Sequence, residues 1–175
     1  HSHINNYLRT LYKFFFLTIP TWIYCVRPNI PFDLTWKIVG KPIVIKRKWY
    51  EKLFANHSGG KLSIGRNFSC NNSVASNSIG LIQPCVFNIA IDGSRLIIGN
   101  NVGISGSTIN AAKEIVIEDN EFIGSGCIIT DTDSHPLIYE DRMKDNNKET
   151  KSVPILIKEG AFIGARSIIL KGVTI

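Results

Sequence analysis

Cysteine is scarce, and nothing in its spacing suggests pairing: Cys25, Cys70, Cys85 and Cys127 form no Cys-x-x-Cys arrangement. That excludes a disulfide-framed scaffold and a cysteine-built zinc site. Cys85 and Cys127 stand among aliphatic residues, where a free thiol serves as a small buried apolar side chain. A reducing compartment, the cytoplasm, is therefore expected. Long apolar runs are also missing. The uncharged stretch from Phe14 to Val26 is interrupted by Pro20 and falls short of the ~20 residues a spanning helix needs. No cleavable signal peptide opens the chain, and His1-Ser2-His3 reads as an expression scar. Basic and aromatic residues do not alternate as a single-strand platform requires, and no recognition helix is expected, so nucleic acid is not an expected partner. Lys and Arg nevertheless number 20 against 14 Asp and Glu, a formal charge of +6. That surplus suits a phosphorylated ligand or an anionic membrane face.

What the chain does have is a rhythm of six. Ile117, Ile123 and Ile129 keep it, His135 takes the next beat, and after a charged interruption Ile157, Ile163, Ile169 and Ile175 resume it. Helices repeat near 3.6 and strands near 2. A period of six predicts an all-β solenoid in which stacked coils bury their aliphatic residues in a column. Earlier, Ile79, Cys85, Ile91 and Ile97 hold the spacing, and Ile98, Ile104 and Asn110 hold it one position later. Ile98 and Ile117 lie one residue more than three hexads apart, which predicts a coil of about eighteen residues with a bulge near Ala111. Asn100-Asn101, Asn120 and Gly160 suit corners with left-handed backbone angles.

At 175 residues the chain is one domain's worth. Residues 60–175 form the expected repeat domain, and residues 1–59 an N-terminal cap in which Ile43-Val44-Ile45 reads as a short strand. Within that cap, residues 7–26 are rich in aromatic and aliphatic side chains. They predict a helix that covers the end of the column, with membrane-surface contact as a second role. Residues 136–152 break the repeat with charge and leave the body as a loop, which in a solenoid is often a binding element.

The pairs Ile123-Gly124 and Ile163-Gly164, each followed by a small residue, resemble the repeat of the hexapeptide-repeat, or isoleucine-patch, acyltransferases. Asp131-Thr132-Asp133-Ser134-His135 ahead of a loop, followed by the coil from Ile163 to Ile175, is similar to the branch that acetylates sugar hydroxyls. The resemblance implies a left-handed parallel β-helix, acetyl-coenzyme A as co-substrate, a carbohydrate acceptor, no metal, and a homotrimer whose sites are shared between neighbouring chains. It places Gly164 and Ala165 near the thioester and Asn110 on the acceptor. It also implies a further coil beyond Ile175.

The residues themselves support the same chemistry. A hydroxyl is a poor nucleophile, and a histidine titrating near neutrality can take its proton as it attacks a thioester. His135 is the one histidine of the repeat region, and either Asp131 or Asp133 can fix its tautomer. If this stretch is extended, alternation puts all three on one face. Backbone N–H groups left open by Gly164 and Ala165 suit the oxyanion. Arg166 and Lys171 are candidates for coenzyme A phosphates, and Arg142 for the acceptor. An amine acceptor on an amino sugar, amino acid or drug remains an alternative, as does a binding solenoid without turnover. The solenoid-shaped carbonic anhydrases need three histidines around zinc, and one repeat histidine does not supply them.

Overall fold

The structure, a computed structural model, describes residues 33–45, 59–144 and 149–175. The helical cap expected over residues 7–26 lies outside them. The described chain is almost entirely β, in three parallel sheets of stacked short strands. Sheet A holds β1 (Lys37–Val39), β4 (Ser69–Asn71), β7 (Gly103–Ser105), β10 (Phe122–Ile123) and β13 (Phe162–Ile163). Sheet B holds β2 (Ile43–Ile45), β5 (Val86–Asn88), β8 (Thr108–Asn110), β11 (Ile128–Thr130) and β14 (Ile168–Ile169). Sheet C holds β3 (Lys61–Ile64), β6 (Arg95–Ile98), β9 (Glu114–Ile117) and β12 (Ile155–Ile157). The chain visits A, B and C in the same order on every round, so each strand pairs with its counterpart one round away.

Register turns that order into a core. Cys70, Ile104, Ile123 and Ile163 align across sheet A, and Phe87, Ile109, Ile129 and Ile169 across sheet B. Ile98, Ile117 and Ile157 align across sheet C. All are buried. Alternate residues face inward along a strand, and in strands this short a single β-branched or aromatic side chain does most of the filling. The repeat phase from Ile117 to Ile169 is therefore the core phase.

The earlier phase differs. Cys85 is buried, but Ile79 and Ile91 are exposed, and Phe87, Ile89 and Leu96 fill the interior instead. The residues from Asn72 to Pro84 detour through a 3-10 turn at Val74–Ser76, and this excursion carries Ile79 away from the column. The stack also starts ahead of Gly60: β1 and β2, within residues assigned to the cap, pair with β4 and β5.

Corners follow side-chain chemistry. Asn101 and Asn120 take φ of 57° and 63° between sheets C and A, and Gly160 takes 80°. The Asn101 amide donates to Asn120 Oδ1 at 2.8 Å, and Asn67, also left-handed, donates to Asn101 at 2.9 Å. Asparagine tolerates this backbone region, and its stacked amides tie one corner to the next. Among the described residues, no helix is long and apolar enough to cross a membrane.

Candidate active site

The corner between sheets B and C is where the rounds differ. Between β8 and β9 the chain turns through Ala111, Ala112 and Lys113, so the extra length expected near Ala111 lies here. Three consecutive backbone N–H groups are left without strand partners and converge on one carboxylate. Ala112 donates to Asp131 Oδ1 at 2.7 Å, and Lys113 and Glu114 donate to Oδ2 at 2.8 and 2.6 Å. Asp131 is fully buried. A buried carboxylate is tolerable when charge-assisted bonds replace its hydration, and here both oxygens are engaged. Asp131 is thus a clamp between successive rounds, with both oxygens turned to the backbone of the round before.

One round later the same corner opens. The Asp131 carbonyl accepts Val153 N at 2.9 Å, so departing and returning chain meet at one residue. Thr132 and Ser152 form an antiparallel bridge, and Asp133 N donates to Lys151 O at 3.1 Å. Ser134 has φ of 61°, and its N–H is held by Thr132 Oγ1 at 3.1 Å. The Asp131–His135 stretch is therefore a turn, which corrects the extended, one-face arrangement that alternation predicts.

His135 is exposed and, among the described residues, makes no hydrogen bond or ion pair. It is not on the column: the sheet C position of this round belongs to Ile155, aligned with Ile115. The hexad count reached His135 because the loop begins at a length close to one repeat. Beyond it, Pro136 is buried and a short helix α1 (Tyr139–Met143) carries exposed Tyr139 and Met143. Arg142 donates through Nη1 to the carbonyls of Pro136 and Leu137, at 2.9 and 2.6 Å. It braces the residues that follow His135.

Asp133 is half-buried, and Oδ1 receives Lys171 Nζ at 2.5 Å. Asp133 Oδ2 is buried and has no hydrogen-bond partner among the described residues. Lys171, a candidate for a coenzyme A phosphate on its charge, is thus engaged with an aspartate from the round before. The two lie 38 positions apart, so only stacking brings them together. Asn110 lies at the same corner, at the end of β8. It accepts Asn88 Nδ2 at 2.8 Å and donates to Thr130 Oγ1 at 3.1 Å, forming a polar ladder up the edge of sheet B.

Gly164, Ala165 and Arg166 lie at the other edge of sheet B, on the corner that enters β14. Gly164 O accepts Cys127 Sγ at 3.1 Å and Ser167 Oγ at 2.8 Å. Arg166 has φ of 63° where earlier rounds place Gly106 and Gly126, a left-handed position that costs a branched or long side chain something to occupy. Its side chain helps line a pocket of about 270 Å³ with Ile79, Leu81, Ile82, Ser125 and Gly126. The detour that removed Ile79 from the core thus builds a wall of this pocket, a role that its repeat-like spacing concealed. Within one chain, the Asp133–His135–Lys171 corner and the Gly164–Arg166 corner are separated by the width of sheet B.

One further acid escaped the sequence reading. Glu121 occupies the inward corner position held by Phe68 and Val102 in earlier rounds and is fully buried, with no hydrogen bond of good geometry to either carboxyl oxygen among the described residues. Burial pushes its pKa up against an opposing pull from the Ala161 backbone N–H, and the Glu118 and Glu159 carboxylates add to the rise. Among the described residues, no three His, Cys, Asp or Glu side chains group so as to hold a metal ion. Comparison with family models, curated proteins and solved structures gave no significant match.

Proposed function

We propose that the stacked sheets wrap as a left-handed parallel β-helix of the hexapeptide-repeat type and that the chain is an acetyl-coenzyme A-dependent O-acetyltransferase. The acceptor is a sugar hydroxyl in a surface polysaccharide or lipid-linked glycan. The observation that carries this reading is the solvent-facing His135 at the neck of a loop, two residues after a half-buried aspartate.

The neutral imidazole takes the acceptor's hydroxyl proton as the oxygen attacks the thioester carbonyl. The tetrahedral intermediate then collapses, the carbon–sulfur bond breaks, and the imidazolium returns the proton to the leaving thiolate. The products are the O-acetyl sugar and coenzyme A, and no acyl-enzyme forms. The thioester is already activated, so holding donor and acceptor together supplies much of the acceleration. Asn110, at the His135 corner, and Arg142, through the loop it braces, serve acceptor placement. The Gly164–Arg166 corner and its pocket suit the donor, with open backbone at Gly164 and Ala165 for the oxyanion and Arg166 for phosphate.

Sheet B separates the two corners, which favours a homotrimer in which one chain's donor corner faces its neighbour's histidine. A cytoplasmic site of action, with residues 7–26 resting on the inner membrane face, fits this donor and a lipid-linked acceptor. The test is thiol release from acetyl-coenzyme A by wild type and His135→Ala against sugars, lipid-linked glycans and amino compounds. Acceptor-dependent release that drops by at least ~100-fold in the variant is expected. Failure of the folded, full-length protein to bind coenzyme A would instead favour a scaffold.

A further inference from the structure

The two aspartates ahead of His135 have different duties. Asp131 spends both oxygens on three backbone amides. Asp133 spends one on Lys171 and leaves the other buried without a partner. Buried acceptors are normally satisfied; the unspent oxygen lies two residues from His135, whose exposed imidazole makes no hydrogen bond among the described residues, so the pairing requires the imidazole to turn inward toward Oδ2. We infer that Lys171 is a positioning residue for His135, acting through Asp133; this rests on the acetyl-transfer reading.

Lys171 belongs to the round that follows the loop, and its ammonium fixes the Asp133 carboxylate against the corner. Oδ1 is held, so Oδ2 is presented in one orientation. An imidazole donating one N–H to Oδ2 is locked in the tautomer whose other nitrogen carries the lone pair for the acceptor. The other charged groups on the segments against Asp133 are Asp131, already engaged, and Lys151 and Glu149 on the returning side of the loop. Among the described residues, none of these three is ion-paired to Asp133; Lys171 is. This assignment replaces the phosphate contact suggested for Lys171 by its charge, and the two roles differ in kinetics.

The experiment is an NMR titration of the histidines in the full-length protein, with His135 identified by loss of its signal in His135→Gln. Wild type is compared with Asp133→Asn, Lys171→Met and Lys171→Arg. A His135 pKa displaced by about half a unit or more in both Asp133→Asn and Lys171→Met, and restored in Lys171→Arg, is the expected result. A value unchanged in either of the first two overturns the inference. In turnover, Lys171→Met is expected to lower kcat by about 10-fold or more with KM for acetyl-coenzyme A unchanged. A raised KM with kcat intact overturns it and returns Lys171 to the donor. Absence of turnover by wild type would defeat the acetyl-transfer reading alone, because the titration reads the pairing without any substrate.

Discussion

Two successive rounds of this chain share a core and differ at one corner. In the round from Gly103 to Ile117, Asn110 leads to Glu114 through a short turn. In the next, Thr130 leads to Ile155 through a loop of more than twenty residues. Ile115 and Ile155 nevertheless occupy the same position in sheet C, and Ile117 and Ile157 the next inward one. The column is indifferent to what leaves its corners, because each round is fixed by neighbours above and below. Chemistry is free to gather where a corner opens, provided something seals the opening. Asp131 does so, holding the closed corner with its carboxylate and the open one with its carbonyl.

The strongest way to break this comparison is Asp131→Ala, which strands three part-buried backbone N–H groups at once. A loss of about 4 kcal/mol is expected by chemical denaturation, and the loop should become protease-sensitive. Ile117→Ala attacks the shared core instead. It leaves a cavity between Ile98 and Ile157 and is expected to cost about 3 kcal/mol in the same assay.

Glu121 sharpens the comparison in the other direction, since it is an acid placed in the column without the partners Asp131 enjoys. Replacing it with Val, as at Val102, should stabilise the protein by about 1–2 kcal/mol. Its pKa is raised on folding, so between the unfolded and folded values the folded state binds more protons. Its contribution is most favourable below the unfolded value and is lost as pH rises through the folded one. The lowered pKa of Asp119, held by Asn100, works oppositely. The advantage of Glu121→Val over wild type should therefore grow with rising pH above the ordinary carboxyl range, measured as the difference in thermal midpoints. The smallest effect is expected for Leu137→Ala, an exposed loop side chain, within about 0.5 kcal/mol of wild type.

The column was legible wherever one inward residue per strand recurs at fixed spacing. Ile117, Ile123, Ile129, Ile157, Ile163 and Ile169 carried that signal and are all buried. It faded where connections lengthen. The detour after Asn72 put Ile79 on a false beat; Ile43–Ile45 was legible as a strand, but the long gaps between β1, β2 and their partners hid β1 and the place of β2 in the stack. His135 is the opposite case. Its residue type and company marked it out, but its placement on the column was an accident of loop length. Asp131 was visible as a candidate, yet its partners lie a round earlier, beyond the reach of local pattern. Lys171 and Asp133 meet only because rounds stack, and no spacing rule within one repeat joins them.

The most direct test of a division between a column that confers stability and an open corner that confers chemistry is acceptor-dependent coenzyme A release per folded molecule. It is measured for wild type, His135→Ala and Ile117→Ala under conditions where all three are folded. The account predicts at least a ~100-fold loss for His135→Ala with an unchanged unfolding midpoint, and near-normal turnover for the less stable Ile117→Ala. Wild-type turnover in His135→Ala would contradict it.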